Sequence, residues 1–363
     1  MKRIAFIQDR VDMDTAGVKT INIDLTEVIS RIEFAWRCTN VTVSVMLAEI
    51  EACLSKIELI DGAEVLYSLS AGEMRGLNFY DSGGVMPRTG ISLTVGGYFE
   101  IVAQMNFGRY LWDKLYAFDP KRYVNPQLRI TWDEDACNAA VVVNQLSILA
   151  YVDDAPGATP VGFLGAKEVH SFVMAASTTT YVDLPTDLPI RKILFQPYSQ
   201  ATDPIALLST LKIAIDNDRL VLLNMDAAEY GKLLQSMYAR VVEYYTLDNA
   251  ITAKTLFVTP SKDVGISIEY SVDAVTAAGQ FAGVTWTSHK LALAASVAIK
   301  GMTAVVMGIL PCNTFPVLFG DQYEPTTWLV PPKDGSLKQT IVSSAAAAAT
   351  ATFRTVVQQV RTR

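Results

Sequence analysis

Residues that commonly carry catalysis or bind metals are scarce in this chain of 363 residues. It has only two histidines, His170 and His289, and its four cysteines share no CxxC spacing. The HExxH, GxSxG and GxGxxG motifs and the phosphate-binding loop are all missing. We therefore predict no catalytic residue, no metal site and no cofactor, and a protein that is not an enzyme. Each histidine is expected to be an ordinary strand residue.

Charged residues are also few, at 18% against 50% apolar residues. The longest apolar run, Leu291–Leu310, is interrupted by Lys300-Gly301, which is better read as a hairpin turn. Neither half of the run could cross about 30 Å of hydrocarbon as a helix. The apolar excess therefore predicts burial against other protein surfaces.

The first residues, MKRIAFIQDRVDMD, lack a continuous apolar core and a small-residue cleavage site, so we expect no secretory signal. The cysteines should then be reduced and buried. They are Cys38, Cys53, Cys137 and Cys312.

The net charge of −7 argues against nucleic acid as the main ligand of the whole surface. The two ends of the chain are nevertheless basic, which suggests an anionic partner there, such as a membrane or a genome. The basic residues at the ends are Lys2, Arg3, Arg354, Arg361 and Arg363.

Three local clusters have two interpretations each. The aromatic and basic stretch Tyr110–Tyr123 could stack on single-stranded nucleic acid, but packing between two halves of the protein is favoured. The acids Asp133-Glu134-Asp135 could hold a divalent ion, but an exposed turn is favoured. Asp9, Asp12 and Asp14 do not fit the spacing of a calcium loop and indicate a solvated turn.

One stretch occurs twice, as Lys56–Tyr80 and, 156 residues later, as Lys212–Ser236. Each copy has alternating apolar residues, a polar break and a second apolar pair, which predicts strand, turn and strand. Each copy then places a capping residue three positions before a glutamate, which predicts the start of a short helix. The pairs are Ser70 with Glu73 and Asp226 with Glu229. The repeat predicts two copies of one domain.

A second alignment, at an offset of 209 residues, places Leu128–Trp132 over Leu337–Ile341. It predicts strands at Ser336–Val342 and Thr350–Val360, although the alanine-rich segment 343–351 by itself favours a helix. Strand and helix both remain open for residues 343–360. The second half carries about 53 additional residues between 238 and 334, which we expect in exposed loops.

These patterns predict an all-β fold of two tandem eight-stranded antiparallel jelly-roll sandwiches, each with a short capped helix. The predicted boundaries are an irregular N-terminal arm over residues 1–17 and a first jelly roll over 18–155. A linker over 156–165 and a second jelly roll over 166–363, with its inserted loops between 238 and 334, complete the chain.

The repeated hairpin and helix, the segment RYVNPQLRI and the tandem sandwiches resemble the double jelly-roll major capsid proteins of tailless icosahedral viruses, with the small bacteriophage type most similar. The resemblance covers roughly residues 18–363. It implies a homotrimer of pseudo-hexagonal outline that tiles an icosahedral virion, made in the host cytoplasm. The implied partners are copies of the chain itself, neighbouring trimers, and penton or minor capsid proteins.

The alternative is a secreted double jelly-roll protein that acts on or binds glycans. It would require export, disulfides and exposed tryptophan or tyrosine rows beside paired acids. The tryptophans are scattered along the chain, at Trp36, Trp112, Trp132, Trp286 and Trp328. A minor capsid or spike component with the same fold is a third hypothesis.

Overall fold

The three-dimensional structure is a computed structural model. It describes residues 1–40, 46–92, 96–137, 141–154, 159–200, 202–247, 254–270, 284–293, 302–348 and 350–362.

The first half of the chain forms two antiparallel sheets around one core. The sheets have the strand orders β1-β9-β3-β7-β6 and β2-β8-β4-β5. The elements are β1 (Lys2–Met13), β2 (Ala16–Asn22), β3 (Val28–Asn40), β4 (Lys56–Asp61), β5 (Glu64–Leu69), α1 (Ala71–Asp81), β6 (Thr89–Ile91), β7 (Tyr98–Asn106), β8 (Pro126–Asp133) and β9 (Val141–Asp153).

The second half repeats this arrangement, with the sheets β10-β23-β12-β21 and β11-β22-β13-β14. The elements are β10 (Phe163–Val173), β11 (Thr179–Leu184), β12 (Ile190–Tyr198), β13 (Leu208–Ile215), β14 (Leu220–Asp226), α2 (Ala227–Met237), β15 (Val241–Leu247), β16 (Lys254–Phe257), β17 (Pro260–Tyr270), β18 (Val284–Thr287), β19 (Lys290–Leu293), β20 (Met302–Pro311), β21 (Phe315–Leu318), β22 (Leu337–Ser343) and β23 (Thr352–Arg361).

Eight strands of each half therefore have the same topology, and β6 and β15–β20 are additional to them. Replacing each strand of β1-β9-β3-β7 by its counterpart gives β10-β23-β12-β21, and the same holds for the other pair of sheets. In each half, neighbouring strands within a sheet come from distant parts of the chain, which is the Greek-key connection of a jelly roll. The predicted pair of eight-stranded jelly rolls is confirmed.

The repeated stretch forms a hairpin and a capped helix in both halves, as predicted. Strands β4 and β5 pair around Gly62, which has a φ of +61°, and β13 and β14 pair in the same way. The Ser70 hydroxyl accepts the amide of Glu73 while the Glu73 carboxylate accepts the amide of Ser70. In the second copy the Asp226 carboxylate accepts the amides of Ala228 and Glu229. These bonds satisfy amides that a helix end otherwise leaves unpaired.

The N-terminal segment is not the irregular arm that was predicted. Residues 2–13 form β1, which pairs antiparallel with β9 along most of its length. Charged residues interrupt the alternation of apolar side chains here, and only pairing with a distant strand supplies the hydrogen bonds. Asp9 and Asp12 consequently lie within a strand, where the Asp12 carboxylate accepts a bond from Gln145.

The predicted linker is shorter than expected, because β10 already begins at Phe163; residues 155–158 lie outside the described part of the chain. Strand β10 also makes a parallel bridge to β5, between Lys167 and Ser68. The bridge joins β2-β8-β4-β5 and β10-β23-β12-β21 into a single eight-stranded sheet. The two jelly rolls thus share one continuous sheet.

The described part of the additional residues in the second half forms strands β15–β20, and this part does not project outward as predicted. Strand β15 contacts β6, and apolar side chains of the insertion lie in the core of the first jelly roll. These side chains are Val241, Tyr245, Leu256, Phe257, Val258, Leu291, Ala304 and Val306. The apolar alternation identified strands, but it could not show which surface they cover.

The end of the chain forms strands, as the second alignment predicted. Strand β22 pairs with β13 and β23 pairs with β10, and the alanine-rich residues between them form turns in their described part. The predicted hairpin turn at Lys300-Gly301 lies outside the described residues. No helix in the described ranges is long and apolar enough to cross a membrane.

Candidate functional site

Helix α1 lies at the junction between the two jelly rolls and the insertion. Ten of its eleven residues, Ala71–Tyr80, are buried, and the helix contacts β7 of the first jelly roll together with β12, β20 and β21. Because a polar helix is buried on every side, its charged residues require partners. The partners come from distant parts of the chain.

Arg75 lies at the centre of this junction. Its Nε is 2.9 Å from Glu51 Oε1, and its Nη2 is 3.2 Å from Oε1 of Glu243 on β15. Burial raises the pKa of Glu51; Arg75 partly offsets that effect and the nearby Glu243 adds to it. The buried ion pair of Arg75 with Glu243 connects α1 to the insertion.

Asp81, the last residue of α1, forms a second buried ion pair cluster with β12. Its Oδ1 is 2.7 Å from Nη1 of Arg191 and 2.5 Å from Nζ of Lys192. Burial alone would raise the pKa of Asp81, but the two cations hold it below its ordinary value. Burial lowers the pKa of Lys192 to about 8, with Arg191 adding to the effect and Asp81 opposing it.

His289 forms a third link across the junction. It lies in the turn between β18 and β19, not in a strand as predicted, and its Nε2 is 2.6 Å from Glu49 Oε1. The Tyr198 hydroxyl of β12 donates to Glu49 Oε2 at 3.0 Å. Glu49 thus connects both jelly rolls with the insertion. The other histidine, His170, lies in β10 as expected, 5.7 Å from the Phe172 ring.

The aromatic stretch Tyr110–Tyr123 packs between the halves, as the favoured interpretation predicted. The Tyr116 ring stacks on Trp328 of the second half at 5.8 Å, and Phe118 packs against Phe163 at 5.6 Å. Arg109 donates to the backbone carbonyl of Tyr323 at 2.5 Å. These rings are engaged with protein, and Tyr110 keeps half of its surface exposed.

The acidic turn lies beside two of the cysteines, because the thiols of Cys53 and Cys137 donate to the Glu134 backbone carbonyl at 3.6 and 3.8 Å. Glu134 is buried in a short 3₁₀ turn, where the Asp133 carboxylate accepts the amide of Asp135. All four cysteines are buried and none forms a disulfide, as predicted. Within the described ranges, no three histidine, cysteine or acidic side chains are grouped as a metal site.

The basic ends of the chain are largely neutralised by acids of the same chain. Arg3 pairs with Asp154 and Glu27, Arg354 with Glu168, and Arg361 with Glu64. The Lys2 ammonium lies 5.2 Å from the centre of the Trp112 ring. Arg363 lies outside the described residues.

Two strands that are covered at the junction have counterparts that lie at the end of a sheet. Strand β5 is covered by β10, whereas its counterpart β14 ends its sheet. Strand β10 lies between β5 and β23, whereas its counterpart β1 also ends its sheet. Both sheet ends carry exposed apolar residues: Ile4 56%, Phe6 58%, Leu220 53% and Val221 44%.

The charged residues of the junction were not among the predicted site residues, although the repeat contains a signal for them. Arg75 and Asp81 in the first copy correspond to Gly231 and Met237 in the second. The first copy therefore has charged residues on its buried helix α1, at positions where the second copy has uncharged residues on its partly exposed helix α2. A change of residue type between otherwise similar copies indicates a surface that is buried in one copy and exposed in the other.

The tandem arrangement of two equivalent eight-stranded sandwiches defines the class: the chain is a double jelly-roll protein. No family model matches it, and no curated protein matches its sequence. Among solved structures, the chain is similar to the STIV major capsid protein, with 13% sequence identity and a TM-score of 0.63. The match covers 99% of this chain and 96% of the STIV protein. STIV is Sulfolobus turreted icosahedral virus.

The chain is also similar to the major capsid protein P2 of bacteriophage PM2, at 11% identity and a TM-score of 0.56, with 100% and 99% of the two chains covered. A third similar structure is the capsid of the virus PBCV-1, at 8% identity and a TM-score of 0.50, with 99% and 94% covered. At such identities the similarity establishes the fold. The fold resemblance noted from the sequence is confirmed.

Proposed function

We propose that this protein is a major capsid protein, a structural and non-enzymatic component of a virion, made in the host cytoplasm. One observation carries the proposal. The similarity to known major capsid proteins covers 99% of this chain and 96% of the STIV protein, so it includes both jelly rolls in tandem. A shared single sandwich would carry little functional information, since jelly rolls occur in many classes of protein.

We further propose that three copies form a ring of pseudo-hexagonal outline. The exposed edges β14 and β1 are the counterparts of β5 and β10, which already bridge inside one chain. If β14 of one copy paired with β1 of the next copy, the contact that joins the two jelly rolls within one chain would also join neighbouring copies. By the equivalence of the strands, the bridge of Ser68 with Lys167 would recur between Asn224 and Gln8 of the next copy.

Helix α2 supports the same contact. Its counterpart α1 is buried by the second jelly roll, whereas α2 leaves one face uncovered. Leu77 on α1 is 2% exposed, but the equivalent Leu233 on α2 is 45% exposed. A neighbouring copy would bury this apolar surface.

A contact between β14 of one copy and β1 of the next joins two different surfaces. Such a contact closes into a ring only if the rotation from one copy to the next divides evenly into a full circle. Three copies supply six jelly rolls, which accounts for a pseudo-hexagonal outline. Weaker contacts with neighbouring trimers, and with penton or minor capsid proteins, would complete an icosahedral shell. An anionic partner at the chain ends gains no support, because the described basic residues there are largely paired.

The glycan-binding alternative lacks an observation in its favour. Trp36, Trp132 and Trp328 are buried, so they supply no exposed row of rings for a sugar. Glu51 and Asp81 of the junction are held in ion pairs with Arg75, Arg191 and Lys192 of the same chain.

The mass of the purified protein in solution tests the proposal. Light scattering after size-exclusion chromatography should give three times the 39.7 kDa of one chain. Negative-stain images should show three-lobed or hexagonal particles. A stable monomer at micromolar concentration would contradict the trimer, and particles of another outline would contradict the ring.

A further inference from the structure

Two buried cysteines of the first jelly roll lie side by side, although they are far apart in the sequence. The Cys53 thiol donates to the Glu134 backbone carbonyl at 3.6 Å, and the Cys137 thiol donates to the same carbonyl at 3.8 Å. Both side chains are 0% exposed. Because the two thiols share one acceptor atom, their sulfur atoms must lie close together in the core.

The pKa values of the thiols reflect the same contact. The hydrogen-bonded Cys137 thiol is the largest cause that raises the pKa of Cys53, and burial adds to it. The Cys38 thiol is the largest cause that raises the pKa of Cys137, with Cys53 opposing it and burial adding to it. Cys38, Cys53 and Cys137 therefore form one cluster of thiols. Cys312 instead donates to Glu51 Oε1 at 3.7 Å.

The two cysteines that share the carbonyl lie in adjacent turns outside the sheets. Cys53 ends the 3₁₀ turn Ile50–Cys53, and Cys137 directly follows the 3₁₀ turn Glu134–Ala136. The Leu47 amide donates to the Cys137 carbonyl at 2.7 Å, which holds the two segments together. A disulfide needs Cα atoms about 4.4–6.8 Å apart. Turns can adjust to this separation without breaking the hydrogen bonds of a strand pair.

We propose that Cys53 and Cys137 are an oxidation site, at which the folded protein forms a disulfide. The bond would close a loop that contains β4–β8 and α1, and so would cross-link most of the first jelly roll. A cross-link over a loop of this length stabilises the folded state mainly by restricting the unfolded chain. Cys38 and Cys312 remain thiols.

Hydrogen peroxide is an oxidant small enough to enter the core. One thiol loses its proton, and its sulfur attacks a peroxide oxygen; the O–O bond breaks, which leaves a sulfenic acid and hydroxide. The second sulfur attacks the sulfenic sulfur, the S–S bond forms and water leaves. In total, two thiols and one peroxide give one disulfide and two waters. The reaction is slow near neutral pH, because thiolate is the reactive form.

The proposed function gives this site a time of action. A capsid protein made in the cytoplasm keeps its thiols reduced there, whereas a released virion meets oxidising surroundings. The bond would then form after release and would stabilise the shell outside the cell. This timing rests on the proposed function, but the bond itself does not, since both cysteines belong to one copy of the chain.

The test oxidises the folded, full-length protein with a small excess of hydrogen peroxide at pH 8.5. Iodoacetamide in denaturant then blocks the remaining thiols, and mass spectrometry of the digest identifies linked peptides. Two of the four thiols should be lost, and the linked pair should contain Cys53 and Cys137. Four free thiols, oxidation without a link, or a link from Cys137 to Cys38 would overturn the proposal.

The melting temperature of the oxidised protein should fall by about 5 °C or more when a dithiol reductant is added. Cys53→Ala should abolish both the link and this response. Cys312→Ala, at another buried thiol, is the matched control and should retain both. Each variant is compared with its own reduced form, so a general loss of stability does not affect the result. A response that persists in Cys53→Ala would also overturn the proposal.

Light scattering on the same samples separates this proposal from the proposed function. A protein that forms the link but stays monomeric would contradict the trimer alone. A trimer without the link would contradict the oxidation site alone.

Discussion

Arg75 and Glu243 are 168 residues apart in the sequence, yet the Arg75 Nη2 and the Glu243 Oε1 lie 3.2 Å apart in the interior. One belongs to the helix of the first jelly roll and the other to the insertion of the second. The contact makes the insertion part of the first domain's packing. It also explains why a polar helix can be buried on all sides.

We expect Arg75→Met to destabilise the protein strongly. Removal of the guanidinium leaves Glu51 and Glu243 buried without their cation, and breaking a buried pair in this way costs about 3–5 kcal/mol. The free energy of unfolding in urea measures the effect. Arg219→Met is the matched control, because Arg219 pairs with Asp216 on the surface and such pairs contribute about 0–1 kcal/mol. Equal losses in both variants would contradict the role of the junction.

Glu73 should make stability depend on pH. Burial, with Glu168 as a further cause, raises its pKa from 4.5 to about 7. The folded state then holds a proton that the unfolded state releases, so the stabilisation is complete below pH 4.5 and is lost as the pH rises to 7. The expected loss over this window is about 3 kcal/mol.

Glu73→Gln should reduce this dependence while it preserves the cap, since glutamine also serves at this helix position, and the part that remains is expected from Glu51, whose pKa burial also raises. Unfolding free energies measured between pH 4.5 and 7 provide the test. Glu229→Gln is the equivalent change in the exposed helix and should retain the wild-type slope. An undiminished slope in Glu73→Gln would assign the titration to another group.

Val221→Lys should prevent the proposed trimer. Val221 is 44% exposed on β14, and a lysine on an edge strand discourages pairing with another chain. The protein should then elute as a folded monomer with a melting temperature close to that of the wild-type chain. The same substitution at Val18 on β2, an exposed edge outside the proposed ring, should leave the trimer intact. If both variants form trimers, β14 is not in the interface.

Gly76→Ala should destabilise the protein, although alanine favours a helix over glycine by about 1 kcal/mol. A Cβ at Gly76 would overlap the Thr314 side chain of the insertion, so α1 and the insertion would have to separate. Overpacking of this kind costs about 1–3 kcal/mol. Gly76→Ala combined with Thr314→Ala should recover part of the loss in thermal unfolding. A more stable single variant would show that the helix is not tightly packed there.

The repeated hairpin and helix could be predicted from the sequence because their signals are local. The alternation in Lys56–Asp61 and the spacing of Ser70 and Glu73 are determined by neighbouring residues. Strand β1 could not be predicted in the same way. It depends on pairing with β9, about 140 residues away, and its charged residues obscure the apolar pattern.

By itself, the sequence determined the duplication, the all-β class and the scarcity of catalytic groups, since repeats, periodicity and composition are properties of the chain. Only the tertiary structure decided that the insertion covers the first jelly roll, and that Arg75, Asp81 and Glu49 find their partners across the junction. Contacts of this kind join residues far apart in the chain. The free energy of these contacts depends on their burial, and burial cannot be predicted from a local pattern of residues.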